Sequence, residues 1–274
     1  MTKETKPVAA SFFRDHITSK GPGLPSRVIL HGVEKIGKTS WAAHAPGVII
    51  GMARGETGLE SLIDAKQLPE TPHFGEWQVW QDVLDSIDNL RTEEHTFKTL
   101  VIDTLNGVER LCHEHVCARD YNNVWGKKGF ANYMQGYEVS LADWRKLLVA
   151  LDNLRAERKM AIIALVHSKI QGFRNPEGAD YDRYLPDMHA KAWSLTHKWA
   201  DAILFANYYT EIIDDGTRPK GIGGQLRSIY TQRHAAYDAG NRLGLPEEID
   251  MGSSGKEAWD NFISAVKQAR KGGE

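Results

Sequence analysis

Residues 28–45 read VILHGVEKIGKTSWAAHA, and the reading of this stretch decides the fold. Its apolar, β-branched start predicts a strand over Val28–His31, and its resumption predicts a helix over Lys38–Ala45. Between them Gly32, Gly37, Lys38 and Thr39 satisfy GxxxxGK(S/T). A glycine-permitted loop between strand and helix turns successive backbone N–H groups, and the helix N-terminus, onto phosphate oxygens. The candidate phosphate seat therefore comprises Gly32, Val33, Glu34, Lys35, Ile36, Gly37, Lys38, Thr39 and Ser40. Lys38 is placed to reach the β and γ phosphates, and the Thr39 hydroxyl to ligate magnesium, so ATP and Mg2+ are the expected cofactors. An ordinary glycine turn with a surface lysine satisfies the same string; the strand-to-helix context favours the seat.

Outward from this stretch, short apolar runs recur at Val48–Met52, Thr99–Asp103, Met160–Val166 and Ala202–Ala206. Helical patterns separate them at Thr57–Ala65, Gln78–Thr92, Leu105–Arg119, Val139–Arg158 and Ala190–Trp199. Strands apolar on both faces, alternating with helices, predict an α/β fold with a mainly parallel sheet covered on two sides. After Asn207 the pattern changes to alternation at Tyr208–Ile213 and Gln225–Tyr237 across an Asp214–Thr217 turn, which predicts antiparallel edge strands. An amphipathic helix over Lys256–Lys271 closes the chain, and Pro246-Glu247-Glu248 reads as a helix start. Residues 1–26 read as an arm, and residues 27–274 as one domain.

Composition bounds the function. The 274 residues are 41% hydrophobic and 26% charged, near the globular average, with a formal charge of −2. Such a balance gives no overall attraction to a polyanion, so any nucleic-acid contact has to come from local basic loops. Two cysteines and no apolar run of membrane-spanning length point to a reduced, cytoplasmic setting. Cys112-His113-Glu114-His115-Val116-Cys117 supplies metal-ligand types, but helical spacing sends His113 and Cys117 to the side opposite Cys112 and His115, which disfavours one tetrahedral zinc.

A magnesium nucleotide needs a carboxylate at the end of a neighbouring strand, and Asp103 in TLVIDT supplies it, making Thr39 and Asp103 the candidate metal residues. Hydrolysis also needs a group to orient or deprotonate water. Glu56, between glycines just past the second strand, is the candidate, with a dipole-favoured helix N-terminal carboxylate as the alternative. His167, ending the strand in LVHSK, would face the γ-phosphate as a sensor, or else sit buried on a backbone carbonyl.

In order, the segments GVEKIGKT, RGETG, TLVIDT, IIALVHS, KWADAILFANY and AYDAGNRLGLPEEI resemble the RecA-like P-loop ATPases over Arg27–Ile249. They are closest in pattern to the compact phage-encoded members described as AAA family ATPases, some of which act in single-strand annealing and recombination. In that group the late segment commonly reads AKNR. Here Gly240 stands where the lysine would be, while Arg242 is kept as a candidate trans-acting finger beside Lys38, Glu56, Asp103 and His167. By the same resemblance two loops would face DNA: Val124–Tyr137, with Lys127, Lys128, Phe130 and Tyr133, and Ser168–Met188, with Lys169 and Arg174. Basic groups interleaved with aromatic faces suit single-stranded DNA; a subunit contact is the alternative for both loops. The resemblance further implies a homo-oligomer, ring or filament, a phage or host single-strand-binding protein as a possible partner, and the cytoplasm of a bacterial host. It leaves open an ATP-gated assembly protein with little or no turnover, which Gly240 favours slightly.

Overall fold

The computed structural model describes residues 23–213 and 220–271. The runs that are apolar on both faces form the strands β1 (Arg27–Gly32), β2 (Val48–Met52) and β3 (Thr99–Asp103), with β4 (Ala161–Phe173) and β6 (Ala202–Ile213) beside them. These five are mutually parallel in the order β2-β3-β4-β1-β6. The sheet then turns antiparallel, as the change of pattern after Asn207 predicts: β7 (Lys220–Tyr230) returns along β6, and β8 (Gly240–Asn241) and β9 (Glu248–Asp250) pair with β6 and β7. The predicted Asp214–Thr217 turn and most of the N-terminal arm lie outside the described residues.

Two layers of helix take up the two faces, because every inner strand residue has to be covered. Alternate residues Ile29, Ile102, Ile162 and Ile203 face one side. There they meet α3 (Trp80–Thr92), α4 (Leu105–Tyr121), α5 (Gln135–Arg158) and α6 (Ala190–Trp199). Leu30, Ile50, Val101, Ile163 and Leu204 face the other side, against α1 (Lys38–Ala42), α2 (Gly58–Asp64) and α7 (Gly255–Lys271). The contact of α1 with α7 is aromatic, Trp41 lying 5.1 Å from Trp259 and 5.2 Å from Phe262 between ring centroids. Among the described residues no helix is long and apolar enough to cross a membrane.

Five expectations change. The antiparallel strand predicted to reach Tyr237 ends at Tyr230, where its pairing with β9 stops. The helix after Gly37 stops at Ala42 rather than Ala45. The segment Ser168–Met188 is largely a hairpin, not an irregular loop: β4 runs on to Phe173 and returns as β5 (Tyr181–Pro186). The alternation Ser168-Lys169-Ile170-Gln171 carries this extension beyond the buried part of the sheet. Residues 202–206 and 208–213 are one strand. Glu248 opens β9 rather than a helix, since pairing with β7 buries Ile249 in the core.

Between α4 and α6 lies a buried acid. Both carboxylate oxygens of Glu109 accept the backbone N–H of His189 at 3.1 Å, and burial pushes the carboxyl pKa up to about 8. The folded state thus holds a proton that the unfolded chain releases near the ordinary glutamate value, so this group's contribution to stability falls as pH rises from about 5 to about 8. In urea titrations at the two ends of that window, Glu109→Gln is expected to gain stability on wild type as pH rises.

Candidate active site

The seat begins where β1 stops. A Cβ placed on Gly32 would lie 2.4 Å from the Ala206 carbonyl oxygen on β6, so only glycine lets the strands close here. The loop then turns outward, pinned by Ile36, which is fully buried, and by Gly37 at φ 104, a left-handed conformation that opens α1. Lys38 is buried beneath the loop, its Nζ donating to the carbonyls of Gly32 (3.0 Å) and Val33 (2.9 Å). Burial lowers its pKa, and the nearby Asp103 and Glu56 carboxylates oppose that shift.

The adjacent Thr39 hydroxyl donates to Asp103 Oδ2 at 2.8 Å. Asp103 ends β3, two strands from β1, and burial pushes its carboxyl up to about 6 against the pull of the Thr39 hydrogen bond. A hydroxyl and a carboxylate are hard oxygen donors of the kind Mg2+ takes, with phosphate and water completing its octahedron. Among the described residues no group of three or more His, Cys, Asp or Glu is arranged to hold a metal, so a cation at Thr39 and Asp103 would share its shell with the nucleotide. Loop amides, Lys38 and this oxygen pair together fit a magnesium nucleotide.

Glu56 and His167 meet beside it. Glu56 Oε1 accepts the Thr104 hydroxyl at 2.8 Å and lies 3.2 Å from His167 Nε2. The His167 hydrogen bond, then that of Thr104, holds the Glu56 carboxyl below its ordinary value despite partial burial. His167 stands in register with Gly32 across the β1–β4 pair, so the sensor candidate and the start of the seat are fixed to one another by sheet hydrogen bonds. Its Nδ1 is buried and has no hydrogen-bond partner among the described residues.

Other candidates fall elsewhere. Arg242 lies by the start of β6, at the sheet edge away from the seat, where its guanidinium donates to the carbonyls of Ala200 (2.9 Å) and Lys198 (3.4 Å) at the end of α6. It does not join Lys38 within its own chain. Lys127, Lys128 and Arg174 are exposed, and Tyr133 is 91% exposed. Lys169 pairs with Asp187 at 3.1 Å. Phe130 corrects the reading: it is fully buried among Tyr121, Trp125 and Tyr137, so its ring has no face to offer a base. Its surroundings are aromatic because the turn folds back onto α4, which a list of loop residues does not reveal. The two cysteines are free and buried.

Four site residues are absent from the sequence reading. Thr104 holds Glu56 and also caps α4, accepting Gly107 N at 3.3 Å; a threonine before an apolar helix is a legible cap, but not a legible partner for Glu56. Asn106 Oδ1 accepts the His167 backbone N–H at 3.1 Å. Arg227 on β7 donates to the Ile36 carbonyl (3.1 Å) and the Gly252 carbonyl (2.8 Å), and Tyr208 OH reaches the Lys35 carbonyl at 3.4 Å. No local signal announces Arg227, which is one charged residue on an edge strand.

Arg227 thus braces the loop that carries the candidate phosphate-binding amides. Arg227→Ala is expected to weaken magnesium-nucleotide binding about tenfold, roughly 1.4 kcal/mol, as read by calorimetric titration.

No curated protein matches the chain. A structure titled as that of the RadB recombinase is similar, at 14% identity and a TM-score of 0.44, over 79% of this chain and 85% of that one. The sequence model of the AAA domain matches residues 24–243, a span from the first described strand to Arg242 and beyond. The chain belongs to the AAA domain family.

Proposed function

We propose that the protein is a Mg-ATP-dependent ATPase, stimulated by single-stranded DNA, that acts in phage DNA recombination or replication. The observation that carries the enzymatic part is the convergence of Lys38, Thr39, Asp103, Glu56 and His167, from four separate segments, on one edge of the sheet. When bound, magnesium supplies charge neutralisation at the β and γ phosphates. Lys38 exchanges its loop carbonyls for phosphate oxygens, and Thr39 and Asp103 hold the metal. Glu56 orients the attacking water and accepts its proton at a carboxylate oxygen, a role for which an ionised side chain is required. His167, hydrogen-bonded to that same oxygen, competes with the water and so links the γ-phosphate side to β4 and the hairpin beyond it.

The DNA part rests on resemblance and on the exposed Lys127, Lys128, Tyr133 and Arg174. A single domain over residues 27–274, a ring or filament with Arg242 acting across the subunit boundary, a single-strand-binding protein partner and the cytoplasm of a bacterial host complete the reading. One observation favours the second reading, an ATP-gated assembly protein with little turnover: the Arg242 guanidinium is already engaged by two carbonyls of its own chain.

Two variants separate these. Lys38→Ala is expected to abolish nucleotide binding. Glu56→Gln is expected to retain bound ATP while turnover falls by about 10²-fold or more, in ATPase assays with and without single-stranded DNA. Absence of turnover by wild type under both conditions, with ATP-driven assembly seen by mass measurement, selects the second reading.

A further inference from the structure

Next to the candidate catalytic edge, and sharing only Asn106 with it, is a cavity of about 570 Å³. The face of α4 that carries Asn106, Glu109, Arg110, His113 and Glu114 forms its floor, and the turn after α4 adds Asn123 and Trp125. The turn is closed by backbone hydrogen bonds from Phe130 N to Val124 O (2.7 Å) and from Ala131 N to Trp125 O (3.0 Å). The Trp125 ring rests on the buried Phe130, with centroids 5.0 Å apart, and is 43% exposed. An aromatic wall is thus held in place while part of it remains open.

The chemistry of the lining selects its ligand. Glu114 pairs with Arg54 (2.6 Å) and with Arg110 (3.1 Å), so the two cations exceed it by one charge. Burial pushes Glu109 up to about 8 and His113 down to about 4, so near neutral pH the first is an uncharged acid, able to donate and accept, and the second an uncharged imidazole. Arg110, 71% exposed, keeps positive charge at the rim for a backbone phosphate; inside it, two amide side chains, a neutral acid, a neutral imidazole and a tryptophan face remain. They suit an uncharged planar heterocycle with donors and acceptors on its edge, in a volume typical of small-ligand sites.

We propose that the cavity between α4 and the Asn123–Trp125 turn is a subsite for one nucleobase, unstacked from a single strand whose phosphates lie against Lys127 and Lys128. The inference rests on the DNA-binding reading above and specifies where a base enters. Asn106 gives it a consequence: the residue at one end of the cavity floor holds the His167 backbone N–H through Oδ1, so a base that engages this amide touches the residue that anchors His167, the neighbour of Glu56.

The test compares a single-stranded oligonucleotide of mixed sequence with a fully abasic oligomer of equal length, at fixed salt, on wild type, Trp125→Ala and Trp125→Phe. Wild type is expected to bind the mixed strand more tightly than the abasic one and to be stimulated in ATP turnover more by it. Trp125→Ala is expected to lose roughly tenfold in affinity for the mixed strand, within the range of one base–aromatic stack. Its affinity for the abasic strand is expected to be unchanged, and Trp125→Phe to restore most of the loss. Equal losses on both strands, or no loss on either, would overturn the subsite while leaving DNA binding intact. Failure of wild type to bind either strand would overturn the DNA reading itself. Release of the mixed strand by millimolar free nucleosides would overturn a strand-borne source for the base.

Discussion

The close approach of Gly32 to the Ala206 carbonyl governs the catalytic edge. With β1 clamped between β4 and β6, Gly32 is in register with His167 on one side and Ala206 on the other. The seat must then start beside the sensor candidate, and the following turn must rise over Lys38. His31, one residue earlier and fully buried, reinforces the register by bridging the Ser168 hydroxyl (2.8 Å) and the Asp238 carbonyl (2.6 Å). Burial lowers its pKa to about 4, so the ring is neutral and uses one nitrogen as donor and the other as acceptor. Position along the strands, rather than any single side-chain contact, sets the distances among Lys38, Asp103, Glu56 and His167.

The electrostatics follow from packing a cation and two carboxylates into that edge. Burial works against the charged forms of Lys38 and Asp103, and each is partly compensated by a fixed partner: loop carbonyls for the first, Thr39 for the second. Glu56 is different. It sits further out and keeps its charge because two donors, Thr104 and His167, are aimed at it. Glu56 therefore stays ionised through its own hydrogen bonds, whereas buried Asp103 has one donor and would gain most from a cation beside it.

Much of this was legible in residues 28–45 and 99–103 because parallel strands buried on both faces read as uninterrupted apolar runs, and the loop between strand and helix has few solutions once Gly32, Gly37 and Lys38 are in place. Asp103 and His167 could be placed because each ends such a run. The remainder depends on long-range pairing, which leaves no local mark. Arg227 reaches the loop from 191 residues away. Arg242 keeps its expected identity but spends its hydrogen bonds on α6, and Phe130 looks like a stacking residue in the string KKGF until the turn folds back on α4. The extension of β4 was hidden for a related reason: its alternation is polar enough to resemble a loop, and only pairing with β5 makes it a strand.

The brace from Arg227 to Ile36 and Gly252 has a temporal meaning. During synthesis the nucleotide-binding loop emerges first and its supports last: β7, the turn at Gly252 and the α7 helix that stacks Trp259 and Phe262 on Trp41. Until those late segments leave the ribosome, the loop lacks the contacts that hold its carbonyls and the helix behind it lacks its aromatic cover. The geometry of the loop is thus completed by residues made well after the loop itself, in step with the closing strands of the sheet.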